Sequence, residues 1–436
     1  MSLMSFMLNK KIAFTKLSLF FFPLLLSAQT QQDYYQNKLD TYFSKDHEVK
    51  NFVSINEKGI ELYADAATKA KGGKAEIKLS WREVDSLKSI ISNLPEREME
   101  KLLVDKKDSI FYFLKHDTIR HANAATSFKG LRVAIDPGHI GGTFDMGQVE
   151  SRCMNLCIDS AHYIKLEEGN LTFYTSLMLK KKLEAQGATV MLTRSDTGIS
   201  ALDITYYEWK QRMKNRAYAD SLLNEGLISG KELALMHKHL PDKVIFSDLF
   251  GYLDMSVRAR KINAFHPDMT VIIHYNVNEN NTPWTQTTNR DFVMTFVGGC
   301  LISKDLKTLA GRLNFLRLLI SNDIENSVKL CSFSVSHLST DLKIPIAKKT
   351  DATYLSQRCL STPVVGVYSR DLELTRLING TLVYGEGLYQ DNSKECTLLS
   401  GCGDKIAGGN NPSRIEIVAD AYYKAIEDYL AAMQKK

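Results

Sequence analysis

Leu131-Arg-Val-Ala-Ile-Asp-Pro-Gly-His139 is the stretch on which the reading of the fold turns. Leu131 to Ile135 is a short run of the buried-strand kind, and Asp136-Pro137-Gly138 stops it with a strong turn signal. A helical pattern follows from Asn170 to about Gln186. Leu171, Tyr174, Met178 and Leu183 lie near one face of it, and Gly187 is placed as a C′ cap. Ala188–Thr193 reads as another strand, and Met269–Ile273, Phe292–Val297 and Thr381–Tyr384 as later ones. Further helices are predicted at Leu306–Ser321 and Ser413–Gln434. Strands alternating with helices predict an α/β fold, an open twisted sheet, mostly parallel, flanked by helices on both faces. The charged, mostly helical stretch Asp196–Asp254 has no place in that alternation and reads as an insertion, a lid or an extra subdomain.

Before this domain, which spans residues 129–436, lies a segment of different character. Residues 30–128 carry alternating runs at Gly59–Ala64 and Ala75–Ser80, a helical pattern from Trp81 to Asn93 and an apolar run at Ile110–Leu114. They read as a small α+β accessory segment with no chemistry of its own. At the start of the chain, Lys10, Lys11 and Lys16 precede the apolar run Leu17 to Leu26, which ends in Ser27-Ala28-Gln29. That is the pattern of a secretory signal peptide over residues 1–28, cut near Ala28. The run is shorter than the roughly 20 apolar residues of a membrane span, and Pro23 interrupts it. The expectation is an exported protein, periplasmic or secreted, with no transmembrane anchor once the leader is removed.

Composition agrees with a globular chain. Of 436 residues 44% are hydrophobic and 24% charged, which excludes disordered, collagen-like and coiled-coil classes. The formal net charge is +5, and the three leader lysines account for most of it. The rest is close to neutral and lacks the basic field expected of a nucleic-acid binder. The seven cysteines allow up to three disulfides in an oxidising compartment; local pairs 153/157 and 396/402 are open possibilities.

The chemistry gathers at predicted strand ends. His139 follows the first strand, Glu168 stands just before the helix at Asn170, His274 follows Met269–Ile273, and Glu386 follows Thr381–Tyr384. Ligands and catalysis collect at the carboxyl ends of strands in open α/β sheets. Two imidazoles and one carboxylate make a catalytic zinc set with a position left for water, and a further carboxylate can serve as general base and acid. His237-Lys238-His239 reads instead as a solvated helix end. A phosphate loop, a His-Glu-x-x-His helix and a nucleophile elbow are all missing from the sequence.

Five ordered blocks resemble the zinc-dependent N-acetylmuramoyl-L-alanine amidases that cut bacterial peptidoglycan. Val133 to His139 is similar to the family's opening strand and first zinc ligand, and Glu168-Gly-Asn-Leu-Thr172 to the block carrying its second. Gly187 to Arg194 resembles the strand that ends in Thr-Arg. Arg258 to Asn263, then Asp268 to Asn276, resembles the block leading to the third ligand. Leu382 to Asn392 resembles the closing block with the catalytic Glu. The resemblance therefore implies Zn²⁺ held by His139, Glu168 and His274, with Glu386 catalytic. It implies hydrolysis of the amide between the lactyl group of N-acetylmuramic acid and L-alanine, with peptidoglycan as partner. It also implies a possible envelope activator acting on an inhibitory insertion, either Asp196–Asp254 or part of the stretch between His274 and Glu386.

Two departures stand out. Ile140 occupies a position where the family has Gly, and Gly387-Leu388-Tyr389 follows Glu386 in place of x-Gly-Phe. The alternatives are a non-catalytic or partner-activated peptidoglycan-binding protein of the same fold, and a zinc hydrolase of another cell-wall amide.

Overall fold

The computed structural model describes residues 22–45, 48–105, 127–236, 238–401 and 413–434. The leader lysines, the run Ile110–Leu114, His237 and Cys402 lie outside them. In chain order the strands are β1 (Val53–Asn56), β2 (Gly59–Leu62), β3 (Ile77–Ser80), β4 (Arg132–Pro137), β5 (Cys153–Cys157) and β6 (Tyr163–Glu167). There follow β7 (Thr189–Leu192), β8 (Met269–Asn276), β9 (Met294–Val297), β10 (Cys359–Ser361), β11 (Val367–Arg370) and β12 (Leu382–Tyr389).

Seven of these form the main sheet, in the order β10-β11-β9-β12-β8-β4-β7. The central run β12-β8-β4-β7 is parallel throughout, β11 is parallel to β9, and the two antiparallel pairs are β10/β11 and β9/β12. The mostly parallel sheet predicted from sequence is present, with helices on both faces. The apolar run Val133-Ala-Ile135 is continuous because both faces are covered. Val133 and Ile135 join the large cluster under the helices Glu168–Ala185, Asp323–Leu342 and Arg414–Gln434. Ala134 faces the other way, with Ile262 of helix Gly251–Phe265 and Leu374 of helix Glu373–Leu377.

The segment before residue 105 does not stand apart. Its antiparallel sheet β1-β2-β3 and helix Trp81–Lys88 share the large apolar cluster with Leu313, Phe315 and Leu316 of helix Leu309–Ile320. Ser80 and Glu83 cap that first helix reciprocally, a local signal already present in the sequence. A helix over Phe22–Lys38 crosses the expected cleavage position, and its later part meets the domain: Tyr34 Oη donates to Glu325 at 2.6 Å and Lys38 Nζ to the same carboxylate at 2.9 Å.

The insertion has its own core. Short helices Tyr206–Arg212, Arg216–Asn224 and Gly230–Leu235 lead to Asp242–Ile245, and a wider turn over Phe246–Phe250 joins this to Gly251–Phe265 on the sheet. Tyr206, Trp209, Phe246 and Phe250 are buried together, and Ile140 is buried with them. This explains the first departure. The side chain next to His139 anchors the insertion, while Gly141, at φ +69°, supplies the left-handed residue of the turn. A Cβ at Gly141 would lie 2.4 Å from Asn170 Oδ1. Two local corrections follow. His274 and Glu386 lie inside β8 and β12 and not after them, because both strands run on past the predicted ends.

Truncating Ile140 to Ala should cost about 2–5 kcal/mol, the range for a buried aliphatic cavity. Urea unfolding followed by tryptophan fluorescence measures it. A loss below about 0.5 kcal/mol, the size of an ordinary surface change, would contradict the anchoring role.

Candidate metal centre

Sheet register does most of the assembly. Pro137 of β4 pairs with Ile273 of β8, and Glu386 of β12 pairs with His274. The turn after β4 therefore delivers His139 beside His274, and their rings meet edge to face with centroids 4.7 Å apart. Between these strands no side chain fits at residue 138: a Cβ on Gly138 would lie 2.4 Å from the His274 ring. Tyr384, two residues before Glu386, stacks on His274 at 4.6 Å and fixes its plane.

Glu168 opens helix Glu168–Ala185 and inserts its carboxylate between the imidazoles. One oxygen lies 3.2 Å from His139 Nε2 and the other 3.1 Å from His274 Nδ1. The Tyr275 amide donates to it at 3.2 Å. One ligand atom from each of His139, Glu168 and His274 lies within 4.8 Å of the others, close enough for all three to hold one metal ion. Behind His139, Nδ1 is 3.0 Å from Glu150, whose carboxylate also accepts the amides of Ile140 and Gly141. A carboxylate on the far nitrogen of a ligand histidine fixes its tautomer and orientation.

Two buried guanidiniums hold the backbone under these side chains. Arg258 Nη1 donates to the Pro137 carbonyl at 2.6 Å and Nη2 to that of His139 at 2.8 Å, while Asp136 and Asp254 balance its charge at 3.1 and 2.7 Å. Arg194 donates to the carbonyls of Pro137 at 3.2 Å and Gly169 at 2.6 Å, tying the His139 turn to the first turn of the Glu168 helix. His139 needs this support, since it sits at φ +60°, where a side chain strains the backbone.

Charges around the centre are strongly coupled. Burial pushes the His139 imidazole down, but Glu168 and Glu150 on its two sides overcome this and bring it up to about 9. His274 is lowered, chiefly by burial. Burial raises the Glu386 carboxyl to about 8, with the negative Glu168 adding to the effect. Glu386 is buried, and among the described residues its Oε2 has no hydrogen-bond partner. It lines a cavity of about 280 Å³ together with His139, Glu168, His274 and Arg152. A neighbouring cavity of about 360 Å³ runs from the histidines to Phe246 and Tyr252 of the insertion. β12 leaves its register with β8 after Glu386 and pairs again at Tyr389 with Asn276, shifted by one residue, a bulge at the second departure, Gly387-Leu388.

All four site residues singled out from sequence thus meet in one place. Glu150, Arg152 and Arg370 were missed. Glu150 ends the helix Phe144–Glu150 and Arg152 stands just before β5, where only the alternation of Met154 and Leu156 gave notice of a strand. The suggested disulfide 153/157 is corrected. Both thiols are free, and they stand four residues apart on one strand, about 13 Å at a strand's rise and beyond the reach of a disulfide.

A family model described as N-acetylmuramoyl-L-alanine amidase matches residues 133–427. Curated proteins give no match. Among solved structures the chain is similar to the CwlD amidase of Clostridioides difficile, solved with the GerS lipoprotein, at 18% identity over 70% of this chain and 100% of that one, with a TM-score of 0.37. It is also similar to the Ami1 amidase of Mycobacterium smegmatis, at 13% identity, covering 70% of this chain and 99% of that one, with a TM-score of 0.38.

Replacing Arg258 with Met should destabilise the protein by about 3–5 kcal/mol, because Asp136 and Asp254 are left as uncompensated buried charges. Denaturant unfolding at neutral pH measures this, and a change under about 1 kcal/mol would show that the guanidinium does not hold the site.

Proposed function

We propose a zinc-assisted hydrolysis for this chain, which belongs to the N-acetylmuramoyl-L-alanine amidase family and is thereby a peptidoglycan amidase. The bond cut is the amide between the lactyl group of N-acetylmuramic acid and L-alanine. One observation carries the zinc reading: three donor atoms of the His₂-carboxylate type converge within 4.8 Å beside a buried carboxylate whose Oε2 has no partner among the described residues. His139, Glu168 and His274 would hold the ion, with Glu150 orienting His139 from behind. When bound there, zinc polarises the scissile carbonyl and lowers the pKa of a water to about 7.

The remaining work falls to the protein's own groups. Glu386 takes a proton from the attacking water at its carboxylate and hands it to the amine of the departing alanine, which leaves poorly without it. Burial suits this exchange, since it lifts the carboxyl out of the usual carboxylate range to where the group exchanges a proton near neutral pH. Tyr384 keeps the His274 ring in plane. The insertion contributes Phe246 and Tyr252 to the wall of the adjoining cavity, so an envelope partner bound to the insertion would act on access to the site. The basic and apolar leader supports export, and no helix among the described residues is long and apolar enough to cross a membrane.

Glu386→Gln should keep about one zinc per chain while turnover of peptidoglycan falls by about 10²–10⁴-fold. Metal analysis and mass spectrometry of released stem peptides beginning with L-alanine read the two quantities. Undiminished release would overturn the role of Glu386. A binding protein of the same fold would release nothing even before the substitution.

A further inference from the structure

One wall of the Glu386 cavity carries chemistry that the hydrolysis does not use. Arg370, at the end of β11, lines this cavity with its guanidinium between two rings, 5.0 Å from the Phe296 centroid and 4.9 Å from that of Tyr354. Other arginines of the domain are engaged by the protein itself. Arg194 and Arg258 hold backbone carbonyls, Arg376 meets Asp305, Asp371 and Glu373, and Arg414 meets Glu395. Arg370 is only half-buried, and among the described residues no carboxylate lies within ion-pair distance of it. A guanidinium held flat by aromatic faces is pre-organised for a planar anion, and carboxylate is the anion its fork fits.

A second observation points to the same kind of ligand. Gln390 is almost fully buried and lines the same cavity. Its Nε2 donates to the Tyr275 carbonyl at 3.3 Å, but among the described residues its Oε1 has no partner. A buried amide oxygen of this kind requires a donor, which a peptide N–H would supply. Arg152 adds positive charge from the β5 side, its Nε 3.2 Å from His139 Nε2 and its guanidinium carbon 5.9 Å from the Trp284 centroid. A cation for a carboxylate and an acceptor for an amide, in one cavity with the hydrolytic residues, describe an acidic residue of a peptide.

We propose that Arg370, with Gln390 in the same cavity, forms the subsite for the free α-carboxylate of the acidic residue next to alanine in the stem peptide, so that the enzyme selects carboxylate over carboxamide there. This rests on the amidase reading above. Arg370 acts as a specificity-determining residue, distinct from Glu386, because it answers to a group one residue beyond the cleaved bond.

The test compares two muramyl tripeptides, N-acetylmuramoyl-L-alanyl-γ-D-glutamyl-L-lysine and the same compound with the α-carboxylate converted to carboxamide. The zinc-loaded full-length protein should show a kcat/KM at least about tenfold higher for the carboxylate. In Arg370→Gln that ratio should fall to within about threefold of unity, mainly through KM for the carboxylate, and Arg370→Lys should restore part of it. Equal use of both substrates by the unaltered protein would overturn the proposal. So would an Arg370→Gln protein whose kcat drops on both substrates with the ratio intact, since Arg370 would then serve the reacting carbonyl. If the unaltered protein cuts neither tripeptide, the failure belongs to the amidase activity or to a missing activator and not to the subsite. Calorimetric binding of the same pair then decides the subsite, with tighter carboxylate binding that is lost in Arg370→Gln supporting it and equal binding overturning it. Should Arg370→Gln not fold, Gln390→Glu sets a negative charge of the same shape in the cavity; a lowered ratio supports the subsite and an unchanged one contradicts it.

Discussion

The centre depends on backbone carbonyls being held from below by buried cations. Arg258 and Arg194 between them take the carbonyls of Pro137, His139 and Gly169, and so set the turn after β4 against the start of the Glu168 helix. His139 and Glu168 on those elements come from different parts of the fold, and among the described residues no strand pairing joins them. Without the guanidiniums, a histidine in the left-handed region would relax, and Asp136 and Asp254 would stand in the interior without a counter-charge. His274 and Glu386 need no such device. They are neighbours in the register of two central strands, which fixes them as firmly as the sheet itself.

The same turn couples the hydrolytic centre to the insertion. Ile140 follows His139 directly and is buried with Trp209 and Phe250, and Asp254, where the helix leaves the insertion for the sheet, is the partner of Arg258. Asp254 also accepts the Ala201 amide at 2.6 Å, closing the insertion at its other end. A displacement of the insertion would therefore be felt at both sides of His139.

Much of this was legible in the sequence. The continuous apolar run before Asp136-Pro137-Gly138-His139 marked a strand buried on both faces, and the placing of His139, His274 and Glu386 at strand ends marked the site. Strand ends were misjudged because Tyr275 and Leu388, which continue β8 and β12, follow residues that looked like loop chemistry. Glu150 and Arg152 were not legible, since their meaning depends on how the chain 11 and 13 residues after His139 folds back onto its ring. Arg370 gave no signal because β11 is a short strand whose partner, β9, lies far away in sequence. The role of Ile140 could be seen only once the insertion's core was known. At that position an apolar side chain beside a ligand looks like a departure from pattern, and it is a packing requirement of the added helices.

The most direct test of the account is X-ray absorption at the zinc edge on the purified, zinc-loaded full-length protein. The account predicts about one zinc per chain in a shell of nitrogen and oxygen atoms at about 2.0–2.2 Å, with the imidazole signature of two histidines and no sulfur. Scattering from sulfur at about 2.3 Å would move the metal to the cysteines, and zinc far below one per chain would remove it from His139, Glu168 and His274. Either result would contradict the account.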